Sequence, residues 1–242
     1  MIDNELYREL DFLNNDRVFA GILDKKISGF SMIFDSGTDL DVFFELMYCL
    51  MTAQTKFYSS AAVVSELKKD AYFENKLLNY SDTELQEYLL PFLCKNIIRF
   101  HNNKSKNIVH ARNLFLNSGK LQIKTIVNSF DSEYELRNWM IQNVKGFSCK
   151  EASHFLRNIG KGKHLAILDR HILRMMSGLG IIDKLPKTLP AKLYYEYEKY
   201  LIEFANKNFI DVEKLDFYLF LMSKAVSGVK GDEVYKVLVD LK

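Results

Sequence analysis

The stretch NVKGFSCKEASHFLRNIGKGKHLAILDRHILRMM, residues 143–176, decides how the chain is read. A helix ending near Asn143 runs into a turn, Val144-Lys145-Gly146-Phe147-Ser148, and a second helix begins at once with Cys149. Ser148 and Glu151 have the spacing of a capping box, in which a helix-starting serine and a carboxylate three residues on satisfy each other's backbone N–H groups. Lys150 therefore falls in the first helical turn, where the positive end of the helix dipole opposes a second positive charge. Partial burial would add to that opposition and favour a neutral, nucleophilic amine. The second helix ends near Gly160. After the linker Lys161–His164, the apolar run Ala166-Ile167-Leu168 delivers Asp169 to the start of another helix, nineteen residues beyond Lys150. Two helix starts joined by a compact hairpin can bring an amine and a carboxylate around one pocket, while N–H groups of the turn bind phosphate.

Outward from this stretch, apolar residues recur at helical spacing and only 11 Gly and 3 Pro are spread over 242 residues, so the expected fold class is all-α. Thr38-x-x-Asp41, Ser81-x-x-Glu84 and Ser132-x-x-Glu135 read as further helix starts, and TDLDVFFELMYCLM, residues 38–51, as a buried helix. Pro91 is expected to break the chain before a helix from about Lys95 to Leu116. Two more helices are expected near Ala191–Asn206 and Val212–Lys224. The first 36 residues mix short alternating runs with glycines and read as loop or short strands. Two helical lobes are expected, residues 1–54 with 181–242 in one and 55–180, carrying the hairpin at 143–160, in the other.

An apolar share of 48% is enough for a real core, and no run approaches the length that spans a bilayer. The acidic start MIDNELYREL lacks the basic and apolar regions of a signal peptide, so an intracellular, cytoplasmic protein is expected. Cys49, Cys94 and Cys149 are too few for a four-cysteine metal or iron–sulfur site and read as buried thiols. Net charge is only +2, but it is unevenly spread. Residues 1–48 carry ten acids against four bases. Residues 95–112 carry Lys95, Arg99, Lys104, Lys106 and Arg112 with no acid, and residues 145–174 carry seven bases against Glu151 and Asp169. Two basic clusters in a near-neutral chain suggest a side that faces a polyanion.

The order of hairpin, lysine and following aspartate resembles the signature of the helix-hairpin-helix DNA glycosylases. The runs Lys150–Asn158 (KEASHFLRN) and Ile167–His171 (ILDRH) are similar to the short archaeal and bacterial branch of 8-oxoguanine DNA glycosylase/lyases. Met51-Thr52-Ala53-Gln54 resembles the family's helix end, whose polar residue fills the gap left by an extruded base, and Asn103-Lys104-Ser105 with Ile108 and Arg112 resembles its helix beside the DNA. The likeness runs over roughly residues 38–230. Lys145 and Ser148 stand where the usual hairpin has a proline and a second glycine. The chain also continues as GDEVYKVLVDLK past Lys230, near where the short branch ends in a base-recognising lysine.

The resemblance implies two lobes with the active site in the cleft between them and a partner of double-stranded DNA containing a damaged base. It implies a glycosylase/AP lyase of base excision repair that flips the damaged nucleotide, removes 8-oxoguanine through a lysine Schiff base and cleaves the strand by β-elimination. Lys150 is then the nucleophile and Asp169 its partner carboxylate, which as an N-cap also stabilises its helix by about 1 kcal/mol. Gln54, Lys104, Lys145, Gly146, Ser148 and His171 are the implied DNA contacts, and Asp216, Phe217 and Phe220 the implied base-recognition residues. No cofactor or catalytic metal is required, though a structural monovalent cation could sit at the hairpin, and a monomer is expected. Two other readings stay open: a glycosylase/lyase for another oxidised or alkylated base, or a noncatalytic helix-hairpin-helix module that clamps DNA. His154 and His164 are expected on the surface and Trp139 in the core.

Overall fold

The N-terminal segment departs from its expected irregular form. In the structure, a computed structural model that describes residues 4–226, it makes two helices, α1 (Asn4–Asn15) and α2 (Arg17–Asp35). Phe19, Leu23, Phe30 and Phe34 are all buried, and their spacings of four, seven and four keep them on one face of α2. Gly21 and Gly29 lie inside that helix with open space around them, so they weaken it without turning the chain. A sparse apolar stripe interrupted by glycines is what made the segment read as irregular.

The capping boxes at Thr38 and Ser81 form as expected and open α3 (Asp39–Thr52) and α6 (Asp82–Lys95). Ser132 precedes α9 (Glu133–Asn143), but its side chain makes no cap hydrogen bond. Pro91 does not break the chain; it lies inside α6. A proline forfeits the bond to the carbonyl four residues back, and here both Pro91 and Glu87 are exposed, so the loss falls on the solvent face. The break comes instead at Asn96–Phe100, where Ile97 and Phe100 take positive φ of 57° and 58°, before α7 (His101–Phe115).

The remaining helices are α4 (Phe57–Lys69), α5 (Phe73–Asn79), α8 (Ile123–Val127), α10 (Cys149–Asn158), α11 (Arg170–Gly178), α12 (Ala191–Lys207) and α13 (Val212–Val226). Among the described residues the strands are a two-residue pair, β1 (Leu116–Asn117) and β2 (Lys120–Leu121). They are joined through Ser118 and Gly119, both at positive φ as a tight hairpin of this twist requires. The fold class is all-α. No described helix is long and apolar enough to cross a membrane.

Two compact units result. One holds the described residues up to Phe30 with those from Gly160 onward; the other holds Ser31–Ile159. These seams differ from the expected divisions after residues 54 and 180. α3 packs against α4, α7, α8 and α10 and so belongs with the hairpin helices, whereas α11 packs on α13 and belongs with the C-terminal helices. In the second unit α3 is the central element, with every residue from Val42 to Met51 buried except Glu45. In the first, α13 takes that place, with Phe19 against Tyr218 and Phe30 stacked on Phe217. The C-terminal stretch 231–242 lies outside the described residues.

Candidate active site

The hairpin between α9 and α10 is pinned from beneath and open above. Val144 and Phe147 are buried, Phe147 against Phe155, and the Phe147 N–H donates to the Val144 carbonyl at 3.1 Å. Lys145, Gly146 and Ser148 are exposed at its apex. Gly146 has φ 97°, and a Cβ there would run into the Asn107 amide and come within 3.3 Å of Leu50 Cδ2. The turn therefore needs glycine both for its backbone and for its close approach to α7 and α3. Glu151 Oε2 accepts from the Ser148 N–H at 3.3 Å and from the Ser148 hydroxyl. That N–H, expected to hold a phosphate, is committed to the cap of its own helix.

Lys150 follows directly, half-buried over α3. Its Nζ lies 3.4 Å from Thr52 Oγ1 and 3.8 Å from Glu151 Oε1. The expected opposition of the helix dipole is thus met by a carboxylate that reaches both the hairpin and the amine. One turn on, the His154 ring packs edge-on against Tyr48. It is not a surface residue as expected: burial, and then the charges of Lys150 and Arg157, hold it well below the usual histidine range, and its Nδ1 is enclosed without a hydrogen-bond partner. At the far end of α10, Asn158 Nδ2 donates to Glu45 Oε2 at 3.3 Å, and Asn158 Oδ1 accepts from Arg157 at 3.1 Å. Thr52, Tyr48 and Glu45 descend α3 as Lys150, His154 and Asn158 ascend α10, so the two helices run antiparallel through two polar contacts with an edge-on ring contact between them. Cys49 is buried among these groups, and burial pushes its thiol up. Cys149 is also buried, but Cys94, expected buried, is exposed.

Lys104 does not extend to solvent. It is buried, and its ammonium donates to the carbonyls of Met51 and Ala53 at 2.6 Å each and to Thr55 Oγ1 at 2.8 Å. These acceptors form the C-terminal end of α3, where a cation is favoured. Burial, reinforced by Lys150 and Arg99 against Glu151, pulls the ammonium down to about 8. The expected DNA contact is therefore a strut. What it holds is the loop carrying Gln54, which is exposed at φ 52°. Arg112 is likewise internal, bonding the carbonyls of Leu77 and Tyr80 and pairing with Asp82.

In the other unit, the run before Asp169 is buried, and α12 holds its backbone. The Tyr194 hydroxyl donates to the Ala166 carbonyl at 2.6 Å and accepts from the Leu168 N–H at 3.2 Å, while Glu198 accepts from the Ala166 N–H at 3.0 Å. Asp169 caps α11, accepting from the N–H groups of His171 at 2.7 Å and Ile172 at 2.9 Å. The His171 ring packs edge-on against Phe220, whose other neighbour is the Lys224 ammonium, 4.8 Å from the ring centre. Burial lowers His171, with Lys224 and Arg174 adding to it against Asp169. Asp216 is buried on α13. Phe217 is buried and stacked on Phe30, a core residue rather than the expected base-recognition one, while Phe220 is half-buried.

The sequence reading missed Thr52, Asn107, Tyr194 and Glu198. Thr52 lies inside the run Met51–Gln54, but its local pattern singles out only the polar residue at the end. Nothing in the local pattern ties Tyr194 or Glu198 to a strand-like run some thirty residues earlier.

Residues 23–210 match the helix-hairpin-helix family model described as 8-oxoguanine DNA glycosylase. A curated 8-oxoguanine DNA glycosylase/AP lyase of Fusobacterium nucleatum is 36% identical over 226 residues, covering 93% of this chain and 99% of that protein. Its counterpart in Methanocaldococcus jannaschii is 34% identical over 90% of this chain and 96% of its own. The crystal structure of the Methanocaldococcus jannaschii 8-oxoguanine glycosylase/lyase with DNA containing 8-oxoguanine superposes with TM-score 0.77 and 31% identity, covering 91% of this chain and 98% of that one. The Thermotoga maritima 8-oxoguanine DNA glycosylase gives TM-score 0.74 at 30% identity, covering 90% and 96%.

Proposed function

The chain belongs to the 8-oxoguanine DNA glycosylase family, and from that premise we propose that it excises 8-oxoguanine from double-stranded DNA and cleaves the strand at the resulting abasic site, with Lys150 as nucleophile. The observation that carries the assignment is the placement of Lys150 at the exit of the hairpin, its Nζ held 3.4 Å from Thr52 Oγ1 and 3.8 Å from Glu151 Oε1. A nucleophile on a helix end, with one neighbour on its own helix and one on a second, meets the positional demand of attack on a sugar carbon.

A base inside a duplex is out of reach, so the nucleotide is extruded, and Gln54 on its braced loop would fill the gap. The neutral amine of Lys150 attacks C1′; the C1′–N bond breaks and its electron pair leaves with the base. One proton of the alkylated amine passes to the departing base; the nitrogen lone pair then opens the sugar ring, O4′ taking a proton from solvent, and the protonated Schiff base so formed acidifies the 2′ hydrogens. Removal of one expels the 3′ phosphate. Asp169 would stabilise the cationic sugar through its remaining carboxylate capacity, since two N–H groups already occupy one oxygen. Lys145, the Gly146 turn and His171 would engage phosphates, and Phe220 and Asp216 the base. The DNA substrate would hold the protein at the nucleoid, as a monomer.

The reaction asks for no cofactor. A monovalent cation at the hairpin would structure the turn only. The Val144 carbonyl accepts the Phe147 N–H and keeps a second lone pair that such an ion could use, and the lysine chemistry needs nothing from it.

The test is a duplex with one 8-oxoguanine opposite cytosine, incubated with and without borohydride beside abasic and undamaged duplexes. Cleavage and a trapped adduct at 8-oxoguanine, both lost in Lys150→Gln, are the expected result. Trapping at the abasic site alone would retain the lyase and change the lesion. An absence of trapping on both would leave a DNA clamp.

A further inference from the structure

Thr52 ends α3 directly beneath the Lys150 amine, and the direction of its hydroxyl is settled by its own helix. The Thr52 O–H donates to the Cys49 carbonyl one turn back at 2.9 Å. With its single proton committed, the hydroxyl oxygen offers Lys150 Nζ only lone pairs, across 3.4 Å. The other group beside the amine, Glu151 Oε1 at 3.8 Å, is also an acceptor. A neutral amine has two N–H bonds and one lone pair. The two acceptors draw the N–H bonds toward themselves, and the lone pair turns away from both. The last turn of α3 is moreover braced: Lys104 bonds the carbonyls of Met51 and Ala53 on either side of Thr52, and the Thr52 carbonyl accepts from the Thr55 N–H at 3.1 Å.

We propose that Thr52 is a positioning residue for the lysine reaction: its hydroxyl oxygen takes an N–H of the Lys150 amine and directs the lone pair out of the contact between α3 and α10. The proposal rests on Lys150 being the nucleophile. Orientation of this kind acts on the rate of the bound complex and leaves DNA affinity alone, because Thr52 acts only through the lysine.

The experiment compares Thr52→Val, Thr52→Ser and Lys150→Gln on an abasic duplex, reading single-turnover borohydride trapping at saturating DNA and, separately, binding affinity. Thr52→Val, which keeps the shape and removes the acceptor, should trap about tenfold more slowly with affinity within about twofold of wild type. Thr52→Ser keeps the hydroxyl and should stay within about twofold in both. Thr52→Ala removes the same acceptor with less bulk and gives the same readings should valine crowd the packed helices. Trapping by Thr52→Val and Thr52→Ala at the wild-type rate, or by Thr52→Ser as slowly as by valine, overturns the proposal while a silent Lys150→Gln leaves the nucleophile standing. A Lys150→Gln protein that still traps overturns both.

Discussion

The contact of α10 with α3 and the buried face of α13 solve the same problem with opposite chemistry. α10 buries Glu151, Ser153, Arg157 and Asn158, and it meets α3 through Thr52–Lys150, Tyr48–His154 and Glu45–Asn158. α13 buries Leu215, Phe217, Tyr218, Leu219, Leu221 and Met222, with rings against Phe19 and Phe30. Apolar burial stabilises in proportion to area and is indifferent to direction. Buried polar contacts do little better than break even, because desolvation offsets the bonds gained, but each bond fixes a direction. The helix that carries the nucleophile adds the directional kind to an apolar face of Ala152, Phe155 and Leu156.

The sharpest way to break this contrast is Lys150→Gln. It should retain DNA binding and lose the borohydride-trapped adduct completely, because no other group of that helix can form a Schiff base. In the other region, Phe217→Ala removes a buried ring stacked on Phe30 and should cost about 3–5 kcal/mol in denaturant unfolding, with lesion choice unchanged in the folded fraction. Loss of lesion choice at near-wild-type stability would return Phe217 to the base pocket and end the contrast. Asn158→Leu lies between these. It removes the donor that Asn158 Nδ2 offers Glu45 Oε2 at 3.3 Å, costing about 1–3 kcal/mol in the same unfolding measurement. Its single-turnover trapping should also slow, which a purely apolar contact would not do. Gly146→Ala should cost about 1–3 kcal/mol, from φ 97° and the Asn107 amide in the way.

The same contrast explains what the sequence disclosed. The helix starts at Thr38, Ser81 and Ser148, the buried α3 and the hairpin with Lys150 and Asp169 were legible because each is written in a few neighbouring residues. α2 was not, because its apolar stripe is thin and two glycines interrupt it. Lys104 and Phe217 were each assigned from local type: a lysine in a basic stretch, an aromatic in an aromatic helix. Their uses are set by distant partners, the carbonyl end of α3 fifty residues earlier and Phe30 in α2. Thr52 could have been found by asking which residue ends the helix beneath the lysine, but that requires knowing that α3 and α10 touch.

The smallest effect tests the polar region through Lys104. Its ammonium bonds three acceptors, at 2.6, 2.6 and 2.8 Å, and is drawn down to about 8 chiefly by burial. An unfolded lysine titrates at ~10.4, so between about 8 and ~10.4 the unfolded chain binds more protons than the folded one. Stability contributed by this group therefore rises with pH across that window, because the cost of burying the charge disappears as the proton leaves. The local consequence has the opposite sign. A neutral amine has two N–H bonds for three acceptors, so one contact to the loop of Gln54 is lost. Relative to Lys104→Met, the wild-type protein should gain melting temperature from pH 8 to pH 10 while its affinity for an abasic duplex weakens by about two- to fivefold, the effect of part of one hydrogen bond. A wild-type protein that loses melting temperature against Lys104→Met over that range would mean that the three bonds outweigh burial and keep the ammonium charged. Lys104 would then be a permanent cap on α3, and the loop of Gln54 would hold its shape at every pH the fold survives.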